Sequence, residues 1–333
     1  MDKKKRMERS ILELVWAPSE YAAIVEAERP DFRIQCRSTD QWFGVEVTEL
    51  HLSESHARLH HIPNYFNEII FEHRYRHKAD KRTLVPEEVK IKSPDGKLKA
   101  KVPALIDQLP TLPMYRERVS TIIVAKNQKL SEYDKSLSHV SLVIYDAIGP
   151  LVAEPADRFF SYFFTPTIKD VLYTVDFREI YLLTYLDHGR QVYIPLKMLL
   201  LIAEFHLFGK LLLEYPWETS EDQTATTNVD ERTARTRFMH LFAKYLRSKT
   251  KNVLVYDDGD LVDVIFGAGG MVLKPEKTIH YYKDDPYPRA ARPVDIDEET
   301  RFFLSDEFRR KEQQFLSENM FFMPMAFDVR SES

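Results

Sequence analysis

The stretch PDFRIQCRSTDQWFGVEVT, residues 30–48, decides how the first half of this chain folds. Two alternations of apolar and polar residues flank the polar run Ser38-Thr39-Asp40, which predicts two short strands joined by a turn. Because successive side chains of a strand point to opposite faces, Phe32 and Ile34 share one face while Asp31 points to the other. The stretch therefore predicts a β-hairpin whose first strand begins with an acid.

A second acid, Glu46, interrupts the apolar second strand of this hairpin. A loop of four residues, 37–40, would place Glu46 directly opposite Asp31, with the two Cβ atoms about 4.5–5.5 Å apart. Two carboxylates at that separation repel each other, and a divalent cation between them removes this cost. Carboxylate oxygens are hard ligands that suit Mg²⁺ or Mn²⁺. We therefore predict a magnesium or manganese site held by these two acids.

Pro30-Asp31 and, after the turn, Glu46-Val47-Thr48 resemble the signature of the PD-(D/E)XK superfamily of nucleases. In that superfamily the acids bind Mg²⁺, often with the backbone carbonyl of the residue after the glutamate. The resemblance implies that Asp31, Glu46 and the Val47 carbonyl are the metal ligands. It also implies a nuclease that hydrolyses phosphodiester bonds in DNA, and for free-standing prokaryotic enzymes of this kind a role in defence or repair.

The order of the predicted elements is similar to the core of the same superfamily. A helix at 7–28, the hairpin, a strongly periodic helix at 116–135 and an apolar strand at 140–145 follow one another. The resemblance covers roughly residues 7–195. It implies an α/β fold of the restriction-endonuclease-like class, in which a mixed sheet is flanked by helices.

The chain of 333 residues is long enough for two domains. We expect a nuclease-like domain at 1–199, with an insertion at about 51–115, and a smaller accessory α+β region at 200–333. Residues 1–150 carry 24 basic and 22 acidic side chains, whereas residues 151–333 carry 23 and 30. Because the second part is acidic, we expect it to serve regulation, a protein partner or homo-oligomerisation, and not a polyanion.

The sequence departs from the superfamily pattern at Thr48, where a lysine is usual. Thr48 cannot supply a cation, so either the lysine has moved elsewhere in the chain or the site is inactive. Lys126 is the candidate for the moved lysine, because it falls in the middle of the apolar stripe of the 116–135 helix. A buried lysine needs an acidic partner, which the carboxylate pair would provide. Alternatively, Lys126 only extends its amine to the edge of the protein.

Residues 72–101 carry 10 basic and 5 acidic side chains, an excess that suits a phosphate backbone. We expect this stretch and the basic N-terminus to contact nucleic acid, and the alternative is a solvated charged loop. The candidate binding residues are Arg74, Arg76, Lys81, Arg82 and Lys129.

Several other classes of protein are disfavoured. One cysteine, Cys36, cannot form a disulfide framework or a cysteine-based zinc site, and it favours a reducing, cytoplasmic setting. The most apolar run, 196–213, contains four polar or charged residues, which argues against a membrane span. His56 and His60 share a helix face but lack the His-Glu-x-x-His arrangement, so no zinc site is expected from them.

Two further hypotheses remain open. In the first, Thr48 marks a lost active site, and the fold persists as a module that binds nucleic acid or protein. In the second, the hairpin matches the superfamily by chance. The position of the Lys126 amine relative to the two carboxylates discriminates between an enzyme and an inactive module.

Overall fold

The computed structural model describes residues 3–51, 53–105, 111–146, 159, 163–186, 189–214, 231–274, 277–283 and 290–318. The sequence predicts a polar link between two helices at 218–228, and this segment lies outside the described residues. The helices are α1 (Lys3–Val15), α2 (Glu54–His61), α3 (Tyr65–Glu72), α4 (Asp80–Thr83), α5 (Leu112–Asn127), α6 (Pro166–Thr174), α7 (Leu196–Glu214), α8 (Glu231–Arg247), α9 (Glu298–Leu304) and α10 (Asp306–Glu318). The strands are β1 (Ala23–Glu26), β2 (Phe32–Gln35), β3 (Trp42–Leu50), β4 (Pro86–Lys92), β5 (Leu98–Leu105), β6 (Val140–Asp146), β7 (Ile180–Leu186), β8 (Arg190–Pro195), β9 (Leu254–Asp257), β10 (Val262–Phe266), β11 (Gly269–Leu273), β12 (Lys277–Tyr281) and β13 (Arg292–Pro293).

The first sheet has six strands in the order β1-β2-β3-β6-β7-β8. Strands β1, β2 and β3 are antiparallel, β3, β6 and β7 run parallel, and β8 returns antiparallel to β7. Parallel strands need a crossover, and α5 lies between β3 and β6 in the chain. This is a mixed sheet flanked by helices, so the predicted α/β class is confirmed at that level.

Alternate residues of the central strands pack on opposite faces of this sheet. Leu142 and Leu182 belong to a cluster with α5, α6 and α7, whereas Val143 and Leu183 belong to a cluster with α1. Burial on both faces explains why β6 and β7 are almost continuously apolar. On the α1 side, the Trp16 ring packs edge-on against Tyr181 at a centroid distance of 5.1 Å.

The second sheet is antiparallel, with the order β12-β11-β10-β9-β13. Its buried residues, Val264 among them, share one hydrophobic cluster with Leu182 of the first sheet and with Leu200 of α7. The predicted boundary between residues 199 and 200 falls inside α7, which packs against both sheets. The two predicted regions therefore share a core across that helix.

Three element predictions were wrong in their bounds. The helix expected at 7–28 ends at Val15, and 23–26 forms β1, because its pairing with β2 outweighs local helix propensity. The helix expected at 116–135 begins at Leu112 and ends at Asn127, and a 3₁₀ turn follows at 130–132. The sequence also predicts one last helix near 298–318, but this segment is divided into α9 and α10 at Ser305, which has an extended backbone.

The insertion at about 51–115 lies between β3 and α5 and contains α2, α3, α4 and the isolated β4–β5 hairpin. Among the described helices, none combines the length and apolar character needed to cross a membrane.

Candidate carboxylate–lysine site

The β2–β3 hairpin places Asp31 beside β3. The pairing runs from Phe32 with Val45 to Gln35 with Trp42, so residue 31 continues this register opposite Glu46. The loop of four residues at 37–40 is the one that the sequence predicted. The side chain of Glu46, on β3 inside the first sheet, is only 9% exposed. The hairpin therefore places residue 31 and residue 46 opposite each other on neighbouring segments of the chain.

Gly44 allows Pro30 to approach the strand closely. A Cβ atom at Gly44 would lie 2.6 Å from Pro30 Cγ and 3.0 Å from Leu137 Cδ1. Both contacts are shorter than van der Waals packing allows, so only glycine fits here without displacing its neighbours. Since Pro30 precedes Asp31 directly, this close approach helps to set where the first carboxylate stands.

Asp31 is held by a backbone amide and by an ammonium group. Val47 N–H donates to Asp31 Oδ2 at 3.0 Å, and Lys5 Nζ donates to Asp31 Oδ1 at 2.9 Å. Lys5 also lies 3.1 Å from Glu8 Oε2. Burial of Lys5 opposes its charge, but its hydrogen bonds to Asp31 and Glu8 outweigh that effect and raise the pKa of the Lys5 ammonium. An ammonium cation therefore stands beside Asp31.

Glu8 also lies at this site, beside Lys5, although the sequence did not predict it. Its residue surface is 5% exposed, and it lies one helical turn before Leu12 on the buried face of α1. An acid among Leu12 and Val15 on an apolar face needs a cationic partner, which Lys5 provides. That pattern, an acid on the apolar stripe of the first helix, is the sequence signal that could have found Glu8. Glu13, which is also an α1 acid, pairs with Arg9 instead.

Lys126 reaches the other carboxylate from α5. Its Nζ lies 2.5 Å from Glu46 Oε1, and its side chain is 23% exposed. The position of Lys126 on the apolar stripe of the helix therefore predicted a lysine that contacts Glu46. The contact with Asp31 is made by Lys5 and not by Lys126. Each of the two predicted acids therefore contacts a lysine, and the two lysines come from different helices.

The Val47 backbone faces the edge where β2 stops. Gly44 N–H pairs with the His139 carbonyl on the β6 side, whereas Val47 N–H points to Asp31 on the β2 side. Because a strand residue directs its N–H and its carbonyl to the same neighbour, the Val47 carbonyl also points toward the β2 side. The carbonyl predicted as a ligand is therefore directed toward Asp31.

Tyr133, which follows the 3₁₀ turn after α5, borders both acids. Its side chain is buried. Burial, and then the negative charge of Glu46, raises the pKa of Tyr133 above its usual range, and the charge of Asp31 adds to this. The hydroxyl therefore stays neutral beside the carboxylates. Tyr133 was not among the residues predicted for the site.

All five predicted nucleic-acid contacts are exposed, but Arg76 is also paired with an acid. Arg76 forms a double contact with Glu68, with Nε 2.9 Å from Oε2 and Nη2 2.5 Å from Oε1. The charge of Arg76 is therefore largely compensated, while the other four, Arg74, Lys81, Arg82 and Lys129, remain open to a ligand.

A buried carboxylate organises the insertion that carries Lys81 and Arg82. Asp80 accepts hydrogen bonds from Arg58 Nη2 at 2.6 Å and from the Tyr65 hydroxyl at 2.6 Å. Burial opposes ionisation of Asp80, but these hydrogen bonds outweigh it and lower the pKa to about 2. Asp80 thereby ties α2, α3 and α4 together and leaves Lys81 and Arg82 on the surface.

The histidines in and next to α2 have different partners. His56 Nδ1 lies 2.7 Å from Ser53 Oγ, in the cap of α2. His51 and His61 converge instead on Glu49.

Comparisons of the chain with protein-family models, with curated proteins and with solved structures found no match.

Proposed function

We propose that the protein is a Mg²⁺- or Mn²⁺-dependent nuclease that hydrolyses phosphodiester bonds in DNA. The observation that carries the proposal is the contact of Lys126 with Glu46, on the strand directly beside Asp31. Thr48 occupies the motif position where the superfamily has a lysine. Lys126, from a separate helix, would supply the cation that Thr48 cannot supply. Two carboxylates and a lysine in contact are the groups that metal-assisted hydrolysis needs.

The order of elements supports the resemblance to the PD-(D/E)XK superfamily. The helix, hairpin, helix and strand on which it rests correspond to α1, β2–β3, α5 and β6. The last of these runs parallel to β3 and beside it, as a crossover through α5 requires. On this proposal the fold is restriction-endonuclease-like.

The donor set fits a hard divalent cation. Asp31, Glu46 and the Val47 carbonyl offer only oxygen atoms, and these are the ligands that Mg²⁺ and Mn²⁺ prefer. The ammonium groups of Lys5 and Lys126 contact the two acids, so a divalent ion would have to compete with them for the carboxylates. When bound, the ion supplies charge stabilisation on the phosphate and a nucleophile at neutral pH.

The residues of the chain would have distinct tasks. Lys126 would orient the attacking water or stabilise charge on the phosphate, because its amine contacts Glu46 and its side chain is partly exposed to solvent. Tyr133 offers a neutral hydroxyl that can donate a hydrogen bond without adding charge. Lys5, whose Nζ lies 2.9 Å from Asp31 Oδ1, would balance the charge of Asp31 and would compete with a bound ion for this carboxylate.

The β4–β5 hairpin of the insertion suits a nucleic-acid backbone. In this exposed two-stranded ribbon Lys90 pairs with Lys101 on one face, and Val89 pairs with Val102 on the other. The lysine face also carries Glu88, which lies 2.9 Å from Lys101 Nζ, so Lys90 is the more available of the two lysines. A two-stranded ribbon fits the major groove of DNA. Together with Arg74, Lys81, Arg82 and Lys129, the lysine face would hold the DNA backbone.

The remaining assignments follow from the resemblance and from charge. We propose a role in prokaryotic defence or repair, in the cytoplasm. The acidic region at 200–333 would serve a protein partner, regulation or homo-oligomerisation.

One observation favours the second candidate, an inactive nuclease-fold module that binds nucleic acid or protein. Both oxygens of Asp31 are engaged within the chain, one by Lys5 and the other by Val47 N–H. A carboxylate that is already neutralised by an ammonium has less need of a metal ion.

Cleavage of supercoiled plasmid and of single-stranded DNA, with Mg²⁺, Mn²⁺ or EDTA, tests the proposal. We expect metal-dependent cutting by the wild type, reduced at least about 100-fold in Asp31→Asn, Glu46→Gln and Lys126→Met. Glu13→Gln is the matched control, because Glu13 pairs with Arg9 on the same helix as Glu8 and should leave cutting unchanged.

The outcomes separate the candidates. Loss of cutting in the acid variants alone would keep the metal site and remove Lys126 from the reaction. No cutting by the wild type, together with no Mg²⁺ binding by calorimetry, would contradict the enzyme and favour the inactive module. DNA binding that is retained without cutting would then define what the module does.

A further inference from the structure

A cluster of two histidines and a glutamate lies where β3 ends. Glu49 is the last residue but one of β3, His51 directly follows this strand, and His61 is the last residue of α2. The Nε2 atoms of both histidines lie 3.2 Å from the same oxygen, Glu49 Oε2. One ligand atom from each of the three residues lies within 4.8 Å of the others.

These distances match those between the ligands of one small metal ion. Zinc ligands lie about 2.0–2.2 Å from the ion in tetrahedral geometry, which separates any two ligand atoms by roughly 3.3–3.5 Å. The two separations of 3.2 Å between a histidine nitrogen and the Glu49 oxygen lie just below this range. A modest movement of either histidine would therefore admit an ion without rebuilding the fold.

The surroundings hold the ligands in place. The His51 and Glu49 side chains are only 9% and 11% exposed, whereas that of His61 is 44% exposed. Arg118 Nε donates to the His51 carbonyl at 3.0 Å and anchors the turn from α5. The rings of His51 and His61 meet at 85°, with their centroids 5.2 Å apart, so the two imidazoles approach the carboxylate from different directions. Two ligands are thus fixed, and the third leaves an open side.

We propose that Glu49, His51 and His61 form a zinc site with three protein ligands and an open fourth position. Imidazole nitrogen is a ligand that suits Zn²⁺, whereas Mg²⁺ requires oxygen, so this site is chemically distinct from the pair of acids at Asp31 and Glu46. Glu49 and Glu46 lie three residues apart on β3 and therefore point to opposite faces of the sheet. The proposal does not depend on the nuclease activity.

Zinc calorimetry on the full chain, after removal of bound metal with a chelator, tests this site. We expect one Zn²⁺ per chain, with affinity reduced by at least about 10- to 100-fold in Glu49→Gln, His51→Ala and His61→Ala. His240→Ala is the matched control, because His240 Nε2 lies 3.1 Å from Asp257 Oδ2 in an ordinary histidine–carboxylate pair. Co²⁺ should give the visible absorption of a four-coordinate ion, and this absorption should be lost in the same three variants.

The melting temperature of His61→Ala separates a loss of the metal site from a loss of folding. Since His61 is the most exposed of the three ligands, its loss should leave the melting temperature without metal unchanged while abolishing the stabilisation by Zn²⁺. Asp31→Asn should bind Zn²⁺ as the wild type does. The proposal is overturned if His61→Ala binds Zn²⁺ as tightly as His240→Ala, if the wild type does not bind micromolar Zn²⁺, or if excess Mg²⁺ displaces the ion.

Discussion

Glu46 and Glu204 are both buried glutamates that contact lysines, yet they stand in very different surroundings. Glu46 accepts from Lys126 at one side of the first sheet, beside a second acid. Glu204, in the middle of α7, has no exposed surface. Its Oε1 contacts Lys169 at 2.9 Å, and its Oε2 contacts Lys249 at 2.9 Å.

The number of cations per acid distinguishes the two regions. Glu204 lies between two lysines and also accepts from the Tyr245 hydroxyl at 2.8 Å. Burial opposes its ionisation, but the charges of Lys249 and Lys169 outweigh it and hold the pKa of Glu204 well below its usual range. Residues of the same chain therefore already neutralise the charge of Glu204 and bond to both of its oxygens. The same residue types therefore make a structural cluster in one region and a candidate ligand site in the other.

The largest expected effect is on folding stability at Glu204. Glu204→Gln should lower the free energy of unfolding by about 3–5 kcal/mol at pH 7, because two lysines lose a buried partner. Glu46→Gln should change it by less than about 1 kcal/mol, because Lys126 can turn to solvent. Urea denaturation measures both, and equal losses would erase the distinction between the regions.

The Glu204 effect should also depend on pH. Since the folded-state pKa lies below the unfolded value of about 4.5, the stabilisation is present above pH 4.5 and is lost as the pH falls further. The difference between wild type and Glu204→Gln should therefore shrink in acid.

An intermediate effect is expected at Gly44. Gly44→Ala should cost about 1–3 kcal/mol, because the new methyl group collides with Pro30, and it should weaken Mg²⁺ binding by displacing Asp31. Gly209→Ala in α7 is the control: its Cβ would meet nothing nearer than Phe238 Cζ at 3.9 Å, and it should stabilise the chain by about 0.5–1 kcal/mol. Calorimetry and urea denaturation give both quantities. Unchanged stability and Mg²⁺ affinity in Gly44→Ala would show that the Pro30 contact does not position Asp31.

The smallest effect is expected at Lys5, where an ammonium competes with a metal ion. A partly exposed ion pair contributes about 0.2–1 kcal/mol, so Lys5→Met should strengthen Mg²⁺ binding by about two- to five-fold. Lys4→Met is the matched control, because Lys4 contacts Glu8 at 3.4 Å and is 64% exposed. Weaker Mg²⁺ binding in Lys5→Met would instead make Lys5 a residue that positions Asp31.

The sequence predicted most of the local structure around the site. The alternation at 30–48 predicted the β2–β3 hairpin, the length of its loop and hence the register of Asp31 with Glu46. The period of the α5 helix predicted that Lys126 faces the sheet, and its amine contacts Glu46. These features depend on the geometry of one strand or one helix, which the order of polar and apolar residues encodes directly.

Contacts between distant segments were decided only by the tertiary structure. Lys5 with Asp31, Glu8 beside Lys5, and Glu49 between His51 and His61 each depend on how a helix packs on the sheet. The strand β1 depends in the same way on pairing with β2, which overrides its local propensity. Periodicity states which face of an element is buried but not which residue of another element meets it, because that choice is made by packing of the whole core.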